Sequence, residues 1–130
     1  MNEKYDTSQM IPEGIAVVYY SDMIGFDREA QYPENFRIHD REANLCGWNL
    51  DKVNEVLLLG DNVKFCIAYI MSNRRVLILV LNSVEEVSFY VDLFEELVQK
   101  IPIPFGLEES QQAIEKFYKE LIKYKEKKLL

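Results

Sequence analysis

The sequence predicts a mixed α/β chain of the α+β kind. It reads as a three-layer α/β/α sandwich with a mostly antiparallel central sheet, one helix on one face and two C-terminal helices on the other. Three observations predict it. Residues 63–71 and 76–81 are apolar at nearly every position, so they read as strands buried on both faces rather than strands with one wet side. Only Ser72-Asn73-Arg74-Arg75 links them, which makes them antiparallel neighbours. After them come two amphipathic stretches separated by Pro102 and Pro104.

Along the chain, residues 1–12 are polar and weakly patterned and read as a flexible N-terminal arm ending at Pro12, ahead of a single domain over 13–130. Ile15-Ala16-Val17-Val18-Tyr19-Tyr20 is β-branched and aromatic, a buried strand. Past the Ser21–Gly25 turn, Phe26, Ala30 and Tyr32 alternate with Asp27, Glu29 and Gln31, giving a half-exposed strand hairpinned onto the first. Pro33 ends it, because proline cannot donate to a ladder. Residues 35–40 read as loop.

Cys46, Leu50, Val53 and Leu57 then recur at the spacing of one helix face, stopped by Gly60, with a start near Asn49 if Gly47 is excluded. The competing reading makes 56–59 a strand hairpinned through Gly60-Asp61-Asn62; the helix is preferred. Ser83-Val84-Glu85-Glu86 is a capping box. The helix behind it presents Val84, Val87, Val91, Phe94, Val98 and Ile101, widened by Tyr90 and Leu97, with Phe89 and Leu93 off centre. Pro102 and Pro104 stop it. A last helix over about 108–128 carries Ile114, Phe117, Tyr118, Leu121 and Ile122 in one stripe and is expected to dock beside its predecessor.

The 130 residues suit one domain. The chain is 48% hydrophobic, too apolar for disorder, yet no uncharged run approaches the ~20 residues of a membrane span. Its formal charge of −7 argues against general nucleic-acid binding. That charge is uneven: residues 1–107 carry net −8, while six Lys and five Glu from Glu108 onward leave the last segment at +1. Cys46 and Cys66 do not make a disulfide framework and follow no secretory signal, so reduced thiols in the cytoplasm are expected.

Catalytic and metal constellations find little support. The one histidine, His39, lies in a predicted loop, and its potential nucleophile partner Cys46 sits on the predicted core stripe. His39, Asp40 and Glu42 lack a zinc spacing, and the EF-hand pattern is absent. The five glycines, at 14, 25, 47, 60 and 106, are isolated, so no phosphate loop is present. No cofactor is expected. Arg74 and Arg75, paired at a hairpin tip, can meet an acidic partner or lipid headgroup, or serve as a charged turn that discourages edge pairing.

The order strand, strand, helix, strand, strand, a further short strand, helix, helix resembles the longin-type domain of the roadblock/longin superfamily. Such domains occur in clathrin-adaptor small and medium subunits, longin SNAREs, and tethering and GTPase-regulating complexes. The resemblance rests on Gly14-Ile15-Ala16-Val17-Val18-Tyr19-Tyr20 with its Gly25 turn, and on Val76-Leu77-Ile78-Leu79-Val80-Leu81-Asn82 running into the capped helix. It covers about residues 14–125, is topological, and includes no catalytic signature. It implies a non-enzymatic adaptor or scaffold in vesicle trafficking or small-GTPase regulation, cytoplasmic or peripheral to membranes. Expected partners are proteins: a small GTPase, a second longin or roadblock domain, or a second copy. Partner-facing residues are expected at Phe89, Leu93, Arg74 and Arg75; Phe89 and Leu93 form either a partner patch or a surface covered by the terminal helix. The alternative from another class is a PAS-like small-molecule sensor with a pocket between sheet and helix. A third is an enzyme using His39 and nearby carboxylates.

Overall fold

The computed structural model describes residues 11–21, 25–60, 64–104 and 107–128. The arm predicted over 1–12 thus lies outside the described residues except for its last two. Five strands and three helices follow in chain order: β1 (Gly14–Ser21), β2 (Gly25–Tyr32), α1 (Asp40–Gly47), β3 (Val56–Gly60), β4 (Phe65–Ile70), β5 (Arg75–Leu81), α2 (Val84–Lys100) and α3 (Leu107–Lys128). The strands form one sheet in the order β2-β1-β5-β4-β3, every neighbouring pair antiparallel.

The three central strands are the apolar runs, and the reason is burial on both sides. Along β5, Val76 to Leu81 are each at most 1% exposed. Alternate residues serve different cores. Ile15, Val17, Ile67, Leu77 and Leu79 pack with Val87, Tyr90, Leu93, Phe94 and Leu97 of α2 and with Ile114, Phe117 and Leu121 of α3. Ala16, Val18, Ala68, Ile78 and Val80 pack with Phe36, Ile38 and Cys46 on the opposite face. The sandwich has the predicted layers. Phe94 and Phe117 meet edge to face at 5.3 Å, joining α2 to α3.

The helix caps follow local chemistry. Ser83 Oγ accepts from the Glu86 N–H, and the Glu86 carboxylate reaches back to the Asn82 N–H. Three of the four predicted stripe residues between 46 and 57 do belong to one core, but not through one helix. Cys46 is in α1, Leu50 in the following turn and Leu57 in β3, all against the second sheet face; Val53 is 44% exposed. The helix predicted over about 49–60 is therefore corrected: the helix lies upstream, at Asp40–Gly47, and Val56–Gly60 is a strand paired with β4. Two local features place it there. Glu42, buried, accepts from the His39 N–H and closes the first turn. At the other end a Cβ on Gly47 would lie 2.7 Å from the Tyr20 ring, so α1 sits as close to the sheet as a glycine allows. Tyr20 OH then donates to the Ala43 carbonyl at 2.5 Å, tying α1 to β1.

The loop predicted over 35–40 ends one residue earlier, since Asp40 opens α1, and it is a structural layer in its own right. Phe36 and Ile38 are buried, and the Phe36 ring lies so close over Gly14 that a Cβ there would come within 2.2–2.4 Å of three ring carbons. No helix among the described residues is long and apolar enough to cross a membrane.

Candidate functional site

The two edges of the sheet are built differently. β2 carries Asp27, Arg28 and Glu29 and a bulge: Val17 pairs with Ala30 and Val18 with Arg28, leaving Glu29 as the extra residue. The bulge re-aims Glu29 across β1 to Arg75, which it meets with two parallel hydrogen bonds of 2.8 and 2.7 Å. Both side chains are largely buried, at 17% and 12% exposure, and the guanidinium lies 4.8 Å from the Tyr19 ring centre. Hydrogen bonding to Glu29 raises the Arg75 pKa further above its ordinary value. Farther along β2, Gln111 of α3 bonds both the N–H and the carbonyl of Gln31. This edge is bent, charged and capped.

The β3 edge has none of that character. Its sequence is Val-Leu-Leu-Leu-Gly, and it ends the sheet beside β4. Leu58 pairs with Ile67, placing it on the α2 side, where it remains 55% exposed. Trp48 at the C-cap of α1 is 78% exposed, and Val53 is 44% exposed. Among the described residues, three of the four exposed large apolar side chains, Ile11 being the other, thus lie within residues 48–58, with Leu58 on the uncharged edge strand itself. On α2, Val87, Tyr90, Leu93, Phe94 and Leu97 are buried, while Val91 and Val98 are only half-buried. Val98 lines a small groove of about 250 Å³ with Asn54, Tyr69, Met71 and Ile103, so this side of α2 looks toward β3. An apolar edge strand offers unpaired main-chain groups together with hydrophobic area, the two ingredients of strand addition.

The residues expected to face partners separate in the structure. Leu93 is 6% exposed and belongs to the core between sheet and helices, so it offers no surface. Phe89 is half-buried and stacks on Tyr90, with ring centres 4.9 Å apart and planes 11° apart. Arg75 is held by Glu29. Arg74 sits at φ 60° after Asn73 at φ 60°, and its Nε donates to the Tyr20 carbonyl at 2.7 Å while its own carbonyl accepts from the Tyr20 N–H at 2.8 Å. Both arginines thus hold the β5–β1–β2 end of the sheet together. Trp48, Val53 and Leu58 were missed, because the helical reading of 49–60 counted Val53 and Leu57 as core and passed over Leu58.

His39, Asp40 and Glu42 are also placed. His39 is the exposed N-cap of α1, Asp40 pairs with Arg28 at 2.7 Å, and Glu42 is buried on the cap. Among the described residues no three His, Cys, Asp or Glu side chains gather to hold a metal ion. Cys46 and Cys66 are buried and neither is in a disulfide. Burial raises the pKa of three tyrosines: strongly at Tyr20, less at Tyr90, and to about 12 at Tyr118. Tyr118 OH donates to the Pro12 carbonyl at 2.8 Å. Comparison with protein-family models, curated proteins and solved structures returns no match.

Proposed function

We propose that this chain is a non-enzymatic protein-interaction adaptor or scaffold of longin type, acting in the cytoplasm or at the membrane periphery, in vesicle trafficking or small-GTPase regulation. Its docking surface is the β3 edge with Trp48 and Leu58, and its occupant is the matching edge of a second longin or roadblock domain, in the simplest case a second copy of this chain. The paired sheets then form the platform that a small GTPase contacts.

The observation that carries this reading is the asymmetry of the sheet. One edge is bulged, charged and capped by Gln111, while the other is apolar and ends the sheet. A strand that adds to β3 gains main-chain hydrogen bonds and covers Leu58, which at 55% exposure leaves roughly half of the about 1.5–3 kcal/mol that full burial of such a side chain is worth. Trp48, on the segment that leads from α1 into β3, is an exposed residue of the type that most often dominates interface energy. The element order supports the longin reading: strand, strand, helix, three strands, helix, helix, the further strand being β3, ahead of the two apolar runs and not after them.

Solution mass by light scattering tests it. The expected result is a species near twice 15.3 kDa, returned to the monomer by Leu58→Lys with the fold intact by circular dichroism. If the chain is monomeric alone, a longin or roadblock domain must capture it through the same edge, and Leu58→Lys must break that capture. A monomer that pairs with neither, yet retains a small molecule in native mass spectrometry, would support a PAS-like sensor instead.

A further inference from the structure

The chain is acidic, with fifteen Lys and Arg against twenty-two Asp and Glu, yet three of its five arginines and its only histidine gather in one place. An open groove of about 950 Å³ lies between β2, loop 34–39 and the first turn of α1. Arg28, Arg37, Arg41, His39 and Lys64 line it, together with Asp40 and Glu42. Among the described residues four fully charged cations thus line it beside these two carboxylates, and a third carboxylate, Glu13, pairs with Lys64. Asp40 is paired with Arg28, and Glu42 is buried against the His39 N–H.

The cations are held in place before any ligand arrives. Arg28 donates Nε to the Ile38 carbonyl at 2.9 Å and Nη2 to Asp40 at 2.7 Å, with its guanidinium 5.1 Å from the Phe26 ring centre. Arg37 donates Nη1 to the Phe36 and Glu34 carbonyls, at 2.8 and 3.2 Å. Lys64 is fixed by Glu13 at 2.7 Å and Asn82 at 3.3 Å. The loop carrying Arg37 is itself pinned, since Gln31 Oε1 accepts from the Ile38 N–H at 2.9 Å. Fixing long side chains in advance removes much of the ordering cost of binding.

We infer that this groove binds a clustered phosphate group, such as a phosphoinositide headgroup or a soluble polyphosphate ester. The choice of phosphate over carboxylate comes from the molecule itself. One arginine fork satisfies a carboxylate, as Arg75 does for Glu29. Several guanidinium planes and an ammonium converging from separate elements suit a compact group of higher charge, with arginine the residue whose fork fits phosphate oxygens. The inference does not rest on the β3 edge: none of the lining cations lies on β3, and only Lys64, directly before β4, adjoins the strand paired with it.

Isothermal titration of the full chain with inositol hexakisphosphate, and co-sedimentation with phosphatidylcholine vesicles containing phosphatidylinositol bisphosphate, test it. Saturable binding that weakens with salt is expected in at least one arm. Arg37→Gln/Arg41→Gln should weaken it at least tenfold, and Arg37→Lys/Arg41→Lys should weaken it measurably, because charge without the fork is an inferior match. Lys116→Gln/Lys123→Gln on α3, which removes equal charge elsewhere, should leave it within twofold. Binding in the soluble arm assigns a free phosphate ester; binding confined to vesicles and sensitive to the same arginines assigns the headgroup. If the first double variant fails to fold by circular dichroism, Arg41→Gln alone is read. No binding in either arm, equal loss from the α3 variant, or equally tight binding of poly-glutamate would overturn the inference.

Discussion

Gln111 of α3 stands beside Gln31 of β2 as a neighbouring strand would. Its Oε1 accepts from the Gln31 N–H at 3.2 Å and its Nε2 donates to the Gln31 carbonyl at 2.8 Å. One side-chain amide thus satisfies both outward groups of an edge residue, and the helix that covers the sheet also closes its border. Gln111→Ala should cost about 1 kcal/mol in urea unfolding and raise the exchange rate of the Gln31 amide. It should also increase concentration-dependent association, since a second edge is then available.

Gly14 and Phe36 meet where a strand has no room for a side chain. Gly14→Ala drives a methyl into the face of the Phe36 ring, and overpacking of this kind costs about 1–3 kcal/mol. Phe36→Ala should cost about 3 kcal/mol or more through the cavity left on the second sheet face. Combining the two should cost less than their sum. Additive losses in denaturant titrations would contradict the contact.

Arg75 and Glu29 form the fork-to-fork pair that fastens the bulge of β2 to β5 across β1. A double-mutant cycle with Arg75→Gln and Glu29→Gln should give a coupling of about 1–3 kcal/mol. The same cycle on Arg28 and Asp40, whose side chains are 31% and 77% exposed, should give less than about 1 kcal/mol.

Leu93 and Phe89 differ in burial and should differ in consequence. Leu93→Ala opens the core and should cost about 2–5 kcal/mol. Phe89→Ala, half-buried and stacked on one face only, should cost clearly less in the same thermal or urea titration.

The buried tyrosines set an alkaline limit on stability. Tyr20, Tyr90 and Tyr118 have folded pKa values above the ordinary value of 10.0, Tyr118 at about 12, because burial disfavours the phenolate. Folding therefore retains protons that the unfolded chain releases. Their contribution is complete below pH 10 and declines as pH rises through 10 toward 12 and beyond. Phenolate absorbance should show part of the chain's eight tyrosines titrating late and together with unfolding. Tyr118→Phe should weaken the late phase and cost about 1 kcal/mol through the lost bond to Pro12.

Several elements were legible because local chemistry and burial agreed. The continuous apolar runs of β4 and β5 demanded cover on both faces. Ser83 and Glu86 marked the start of α2, and Pro102 its end. In α3, Ile114, Phe117, Tyr118 and Leu121 kept helical spacing and are buried, and Ile122, the last of the stripe, is half-buried. Between Cys46 and Leu57 the spacing misled. Cys46, Leu50 and Leu57 share one core but reach it from a helix, a turn and a strand, and a short apolar run fits both periods. The cap that would have placed α1 was hidden because its N-cap is His39, outside the usual Ser, Thr, Asp and Asn.

Sequence alone determined the layers, the antiparallel hairpins and the acidic exterior, since each follows from the period of apolar residues and from the chemistry of turns and caps. Tertiary structure decided what is left exposed. The packing of sheet, α2 and α3 into one core buries Leu93, and α3 closes the β2 edge through Gln111, while Leu58 on β3 stays open. It also brings Arg28, Arg37, Arg41 and Lys64 to one groove. Exposure and convergence depend on which surfaces meet, and residues distant in the chain set both.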